Sequence, residues 1–532
     1  MSSVAEPSRG GRFPKEDIKS GFLVFLIALP LCLAIALASG FPAVAGVMTA
    51  IIGGVLVSFL GSARLTIKGP AAGLIVIVVG AVQELGQGDP VAGYKRALAT
   101  GVVAACIQIV FALLGLAAVG VAMSPSVVHG MLAAIGVIII SKQVHTLVGV
   151  APHAKTPLRL LAEIPHSVAH ANPETLALGL LALTILFAMP LIRSRWTRSI
   201  PAPIIVLAVT VPLGLWFDLE HAHDYQLLSH PYHIGPESLV TLPSSLLAAV
   251  AFPDFSVIWS GASLKYIAMF ALVGSIESTL SVLAVDSMDP EKRPSNLNRD
   301  LFALGIGNLV SALIGGLPMI SEIVRSRANV DSGAKSRLSN FFHGVFLLLF
   351  VSLVPGLLHH IPLAALAAML IFTGTRLASP HEFLHARRIG LDQLALFMTT
   401  LIVTLATDLL IGVGVGLALE IVLHLVRGVP LPIMMRAKAE SQRDGDVLLI
   451  RMRGAAIFSG LLTLRQALRE VNERVKEVII DFEDTALVDH TFLSRLDAMS
   501  QEWPSTRLTL RGLERHKAAS DHPHATRRRM AQ

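Results

Sequence analysis

Charge is scarce in this sequence. Only 15% of its 532 residues are Asp, Glu, Lys or Arg. Soluble chains carry about a quarter, so a water-facing surface cannot enclose the whole of this one. Cysteine is scarcer still. Cys32 and Cys106 are the only two, both sit in apolar stretches, and neither a disulfide framework nor a Cys-x-x-Cys metal site can be built from them. No nucleophile elbow, P-loop or HExxH stretch occurs, which argues against an enzyme and against ATP-driven transport. The segment from Asp218 to Leu264 has no Lys or Arg at all.

Apolar residues are what the chain has in quantity: 53% hydrophobic, with a mean hydropathy of +0.66. That describes a polytopic membrane protein with a soluble remainder. A net charge of +6 and a pI near 9.4 would also suit nucleic acid. The basic residues, however, sit between apolar runs, where a membrane protein places them on its cytoplasmic side, and no nucleic-acid partner is expected.

Apolar runs predict spans near 19–39, 43–61, 69–86, 97–120, 126–148, 175–193 and 201–217. A second set falls near 264–286, 300–316, 318–332, 341–358, 362–375, 388–405 and 408–426. Fourteen spans place both termini on one side. Arg64, Lys68, Arg193, Arg195, Arg198, Lys292, Arg293, Arg299, Lys335, Arg337, Arg376, Arg387, Arg388 and Arg427 then fall on the cytoplasmic side, with 218–264 outside. Lys95, Arg96, Lys142, Lys155 and Arg159 run against the pattern. Residues 1–18 read as a retained cytoplasmic leader, since no small-residue cleavage site follows the first span. The protein is expected in the inner (plasma) membrane, in contact with the lipid bilayer.

Two segments depart from ordinary spans. From Asn298 to Asn340 an apolar helix stops at Gly315-Gly316-Leu317-Pro318 and restarts carrying Ser321, Glu322, Arg325 and Arg327. In GSARLTIKGPAAGLIVIVVGAV a short extended run, Leu65–Lys68, meets Gly69-Pro70 and a helix begins. Backbone freed in mid-membrane is tolerated only inside protein or along a cavity. Restarting helices aim N–H groups and positive dipole ends into that cavity, which suits an anion. The two breaks are the third and tenth spans, matching places in a seven-plus-seven arrangement of repeats, about 19–217 and 264–426. Paired interruptions of this kind point to a transporter site.

From Met435 the composition changes. VLLIRMRGAAIF reads as strands, LLTLRQALREVNERV as an amphipathic helix, EVIIDFEDTALVD as a buried strand and turn, HTFLSRLDAMSQEW as a helix and TRLTLRG as a last strand. A small α/β domain over 435–515 is expected after a transporter domain over 19–430, with a basic, disordered tail over 516–532. His221, His223, His230 and His233 match no zinc spacing and read as solvated loop residues.

An ordered set of residues carries a resemblance. It comprises Asp17-Ile18 with Gly21, Pro30, Gly69-Pro70-Ala71-Ala72, Ile276-Glu277-Ser278 with Ser281 and Asp286, then Asn298-Arg299-Asp300, Gly305, Asn308, Gly315-Gly316, Arg325-Ser326, Asn329 and Gly333-Ala334. In this order, on fourteen spans followed by a small α/β domain, the chain resembles the SulP family of inorganic anion transporters, which end in a cytoplasmic STAS domain. The resemblance implies a uracil-permease-like inverted repeat with core and gate domains, commonly a dimer. Substrate is then held between the starts of spans three and ten, at Lys68, Gly69, Pro70, Ala71, Ile320, Ser321, Glu322 and Arg325. Relatives that carry bicarbonate with sodium bind the ion through an acidic residue and a hydroxyl four positions on. Glu277 and Ser281 occupy those places, on one helix face, so sodium or a proton is the expected coupling ion and no other cofactor is implied. The first span, PLCLAIALASG, and the tenth, GLPMISEIVRSRANV, resemble the branch associated with carbonic anhydrases. This leans the substrate toward bicarbonate, with sulfate and dicarboxylates open, and gives the STAS domain a cytosolic partner such as a carbonic anhydrase.

Each residue has a plainer reading. Glu277 would bond a neighbouring helix end. Lys68 and Glu322 would snorkel to water at the cytoplasmic interface, whereas the sharper reading has them face each other across the crossing point as an ion pair or proton-linked switch. Arg325 would anchor a short helix, Asp286 would serve as a cap or loop contact, and Arg299 and Asp300 would order a helix start. The turn Val488-Asp489-His490-Thr491 sits where STAS domains related to anti-sigma-factor antagonists can carry a phosphorylated Ser, which makes Thr491 the regulatory candidate. Two other functions compete: a membrane-anchored STAS protein that senses an anion, and a proton-coupled nucleobase permease. A pure anchor has no need of a broken helix, and nucleobase permeases lack a STAS domain.

Overall fold

The computed structural model describes residues 15–530 apart from 118–122, 155, 193–199, 228–229, 244, 436–437, 458, 469–474 and 501–505. Most of the leader, the basic residues Lys155, Arg193, Arg195 and Arg198, and the later parts of the two C-terminal helices fall outside the described residues.

The first half consists of α1 (Lys15–Ala38), α2 (Ala43–Val55), α3 (Val57–Leu60), β1 (Ile67–Pro70), α4 (Ile75–Gly86), α5 (Pro90–Leu113), α6 (Pro125–Leu147), α7 (Pro157–Ala169), α8 (Pro173–Ala188) and α9 (Ala202–Trp216). A hairpin, β2 (His223–Leu227) with β3 (His230–Ile234), fills part of the long loop. There His221 and His233 pair with Asp218 and Asp224, both at 2.7 Å. The second half consists of α10 (Gly261–Met288), α11 (Leu297–Leu313), β4 (Met319–Glu322), α12 (Ile323–Asp331), α13 (Leu338–Leu353), α14 (Pro355–His359), α15 (Leu363–Leu377), α16 (Pro380–Ile389), α17 (Leu391–Ala406) and α18 (Leu409–Val426). Among the described residues eight helices are long and apolar enough to cross a membrane, and four more are shorter and apolar. Every predicted span coincides with a helix or with a strand followed by a helix. The polar segments α7 and α16 and the hairpin were not anticipated.

Packing sorts the helices into two groups. Helices α1, α2, α4, α5, α10, α11, α12 and α13 contact one another around the broken segments, while α6, α8, α9, α15, α17 and α18 form the second group. Small residues allow the close approaches: Gly54 of α2 lies against Gly344 of α13, where an added Cβ would stand 2.6 Å from the partner Cα.

Two of the basic residues that oppose the charge pattern have local partners. Arg96 pairs with Asp254 of the long loop at 3.3 Å. The Lys142 ammonium donates to the carbonyl of Ala38, the last residue of α1, at 3.0 Å, where the helix leaves acceptors unpaired.

After α19 (Leu431–Met435) comes an α/β domain: β5 (Lys438–Asp444), β6 (Val447–Ala456), α20 (Gly460–Ala467), β7 (Glu477–Asp481), β8 (Thr485–Val488), α21 (His490–Ser500), β9 (Arg507–Arg511), β10 (His516–Ala518) and β11 (Arg527–Arg529). The order is β10-β11-β8-β6-β7-β9, with β5 antiparallel to β6 and the β6, β7, β8 and β9 pairings parallel. Alternation along β6 puts Leu448, Ile450 and Met452 into a core with Val478, Ile480, Phe482 and Phe492.

The expected disordered tail is corrected here. β10 and β11 extend the sheet through β8, and Ser520 and Thr526 hydrogen-bond Ile389 and Asp392 of the membrane part at 2.5 and 3.0 Å. These contacts order a segment whose own composition would not.

Candidate functional site

β1 and β4 meet as a four-pair antiparallel ladder with the register Ile67 to Glu322, Lys68 to Ser321, Gly69 to Ile320 and Pro70 to Met319. Because the strands are antiparallel, the end of each lies beside the start of the other. The helices that follow, the single turn Ala72–Leu74 leading into α4 and then α12, therefore begin at opposite ends of the ladder. Both direct their N-terminal N–H groups and positive dipole ends toward it. Polar side chains satisfy the backbone freed by the breaks. Met319 N–H donates to Asn308 Oδ1 at 2.7 Å and Leu317 N–H to Thr49 Oγ1 at 2.7 Å, while the Gly315 carbonyl accepts from Tyr94 at 2.7 Å. On the other strand, Ile67 N–H donates to Ser326 Oγ at 2.8 Å and Lys68 N–H to Asn340 Oδ1 at 3.3 Å.

The ladder decides the fate of Lys68. Successive strand residues face opposite ways, so Lys68 shares a face with Ser321, its register partner, and Glu322 falls on the other. The Lys68 ammonium pairs with Asp300 Oδ2 of α11 and donates to Ser321 Oγ at 2.5 Å, with Lys68 and Asp300 side chains both 3% exposed. The expected Lys68–Glu322 pair is thus replaced by a Lys68–Asp300 pair, which also removes Lys68 as a free cation for an anion. Asp300 does not act as a simple helix-start residue. Asn296 caps α11, and Asp300 Oδ1 accepts from Ser62 and Ala63 N–H groups at 3.3 and 3.1 Å. Ser321 is held further by Ser278 of α10, whose hydroxyl accepts from Ser321 N–H and donates to Ser321 Oγ, both at 3.1 Å. Asp286 makes the expected loop contact, accepting from Ser295 N–H at 2.8 Å.

Arg325, on the first turn of α12, heads the fully buried side chains in size, at 1% exposure. Among the described residues no carboxylate lies within ion-pair distance, and its hydrogen-bond contact is the Cys32 sulfur at 3.4 Å. The guanidinium lies against Gly69, where a Cβ would collide with Nη1. Fully buried His343, which feels the charge of Arg325, has neither ring nitrogen paired among the described residues. A buried guanidinium whose hydrogen-bond contact is a thiol, with the Glu322 charge felt only from beyond ion-pair distance, has room for a further counter-charge.

Glu277 reaches the other end of the ladder. Its carboxyl lies against Gly73, at the start of the third-span helix, where any Cβ would collide with it. Its Oε2 is buried with no hydrogen-bond partner among the described residues, as is Oε1 of Glu322. The Glu322 carboxyl lies near the Ala72 backbone N–H, and the two acidic groups sense each other's charge. Ser281, one turn after Glu277, is 2% exposed. Unpaired buried carboxyl oxygens call for a cation or a proton. Ile320, Ala71 and Pro70 are buried in the ladder and its exit. Thr491 lies elsewhere: it is 1% exposed and its hydroxyl donates to Glu420 of α18 at 3.5 Å, closed to a modifying enzyme in this arrangement. Cys32, Ser278, Asp300 and His343 were not read as site residues. A buried lysine demanding a counter-charge was the one signal available for Asp300.

Comparison with known proteins agrees with this architecture. Residues 15–402 match the model of the sulfate permease family. The chain is 27% identical to the bicarbonate transporter BicA of Synechocystis, over 81% of this chain and 73% of that one. It is 23% identical to the sodium-independent sulfate anion transporter of Bos taurus, over 93% and 83%. The inward-facing structure of the murine anion transporter Slc26a9 superposes with a TM-score of 0.68 at 15% identity, over 94% of this chain and 86% of that one.

Proposed function

The chain belongs to the sulfate permease family, and from that premise we propose that it moves a small inorganic oxyanion across the membrane by alternating access, driven by a sodium or proton gradient. Arg325 carries the proposal: a fully buried guanidinium without a carboxylate partner among the described residues, seated between two helix starts. The anion binds beside Gly69 and Arg325. Glu277, with Ser281, takes the coupling cation or proton. Lys68 and Asp300 neutralise each other and hold the ladder in register. The first helix group moves against the second, carrying the ladder with it.

Bicarbonate and sulfate are the substrates to test first, since relatives named for each align over most of the chain. The protein works as a transporter and not as an enzyme, in the inner (plasma) membrane, with both termini cytoplasmic and as a homodimer. The C-terminal domain is left to meet a cytosolic partner, a carbonic anhydrase if bicarbonate is the cargo.

The experiment is uptake of labelled bicarbonate and labelled sulfate into proteoliposomes, with sodium and proton gradients imposed separately. Gradient-dependent uptake of one anion, lost in Arg325→Gln, is expected. Absence of uptake of both anions under every gradient would overturn the proposal.

A further inference from the structure

A cavity of about 540 Å³ separates the two helix groups at the end where the C-terminal domain docks. Its walls have three sources. Leu280 and Ala284 of α10 and Ile323 of α12 come from the first helix group. His129 of α6, Glu382 and His385 of α16 and Phe397 of α17 come from the second helix group and the segment joining it. His490, Ser494, Arg495, His522 and His524 come from the C-terminal domain. Leu280 lies one helical turn from Glu277, and Ile323 directly follows Glu322. The cavity therefore lies next to the candidate site and is bounded on one side by the C-terminal domain.

The charges on its walls are unevenly satisfied. Glu382 is paired with His129 at 2.7 Å. His490 Nδ1–H donates to the His524 carbonyl at 2.9 Å, and His524 lies 3.8 Å from Asp497. Arg495 has no carboxylate within ion-pair distance among the described residues, and its Nε is buried without a hydrogen-bond partner. Burial pulls its pKa down to about 10, which leaves it charged at neutral pH. Burial also holds His490 and His522 below the usual imidazole range, so the guanidinium is the standing positive charge of this wall.

We propose that the C-terminal domain supplies a second anion-binding position, centred on Arg495, in the antechamber between the candidate site and the aqueous phase on its side of the membrane. Its ligand is the small oxyanion that the protein carries. The proposal rests on the transport reading above and deepens it: the soluble domain joins the substrate's path directly. A charge-assisted contact at a water-poor wall raises local anion occupancy, and the effect is confined to the face that the domain covers.

The test uses the purified full-length protein in proteoliposomes, with labelled sulfate or bicarbonate presented to one face at a time. Arg495→Gln is expected to raise KM about tenfold for anion presented on the C-terminal-domain side, with kcat and the opposite-side KM unchanged. Arg495→Lys is expected to keep most of the parent affinity, and Ser494→Asp, which sets a carboxylate beside the guanidinium, to reproduce the loss. An unchanged KM in Arg495→Gln, or an equal rise on both faces, would overturn the proposal. Sulfate- and bicarbonate-dependent thermal stabilisation of the same proteins gives a readout independent of flux. Stabilisation by either anion that Arg495→Gln reduces, in a parent that transports neither, would retain the antechamber and overturn the transport reading. Normal flux with identical stabilisation in parent and variant would do the reverse.

Discussion

Lys68 and Asp300 form a buried ion pair that joins the third span to the ninth, with Ser321 of the tenth hydrogen-bonded to the same ammonium. One lysine thereby ties three segments at the crossing point. Removing one partner of a buried pair leaves the other charge stranded, at a cost of about 3–5 kcal/mol. Lys68→Met and Asp300→Leu are each expected to lower the thermal unfolding temperature strongly. The double variant is expected to regain most of the loss, because two apolar side chains strand no charge. Unfolding temperatures of the four detergent-purified proteins check this. Reversing Lys68 and Glu322 together should rescue neither single reversal.

Arg325 and Gly69 act as a unit. A side chain at Gly69 occupies the space of the guanidinium, so Gly69→Ala should displace Arg325 while leaving its charge in the protein. Losing one charged hydrogen bond to an anion costs about 1.5–3 kcal/mol, roughly a ten- to hundredfold weaker affinity. Arg325→Gln and Gly69→Ala are both expected in that range by equilibrium binding of labelled anion, with elution profiles unchanged. Parent-like affinity in Gly69→Ala would show that the guanidinium does not need its seat.

Much of this architecture is legible in the sequence, and the reasons differ by element. The spans are legible because each is a run of apolar residues long enough to stand alone. The break at Gly315-Gly316-Leu317-Pro318 is legible because two glycines and a proline end a helix locally. The partner of Lys68 is not, since it depends on register: sliding β1 by one residue against β4 would bring Glu322 to the lysine's face. β5 was missed because its Lys-Ala-Glu-Ser-Gln-Arg-Asp run is exposed on both faces and lacks alternation. The tail was misread because its order comes from contacts with Ile389 and Asp392, more than a hundred residues away. Arg325 was legible as a residue of interest, while its lack of a carboxylate within ion-pair distance among the described residues is a property of the packed molecule.

Glu277 is expected to govern coupling and not folding. Its Oε2 has no hydrogen-bond partner among the described residues, so Glu277→Gln removes the ionisable group at nearly constant shape. Uptake down the anion's own gradient should persist, while accumulation driven by the sodium or proton gradient should fall by more than about tenfold, the effect of losing about 1.4 kcal/mol of ion binding. Gly73→Ala should give the same phenotype from the opposite side, since its methyl group takes the place of the carboxylate. Retained gradient coupling in both variants would move the coupling site to Glu322.

The C-terminal strands make a last relation testable. β11 covers the edge of β8, and the segment between β10 and β11 hydrogen-bonds Ile389 and Asp392. Truncation before His516 removes both, while Arg427 still pairs with Asp392 at 2.8 Å and His424 with Asp489 at 3.3 Å. Amide exchange should therefore rise at Thr485–Val488, whose strand loses a neighbour, and around Ile389, which loses its cap. The parallel pairs of β6, β7 and β9 should keep their protection, because their core of Leu448, Ile450, Val478 and Ile480 is untouched. Hydrogen exchange followed by mass spectrometry on the full and truncated chains separates the outcomes. Selective loss at those two places shows the tail to be a clasp between the domains, and unchanged exchange shows the remaining ion pairs to hold the interface alone.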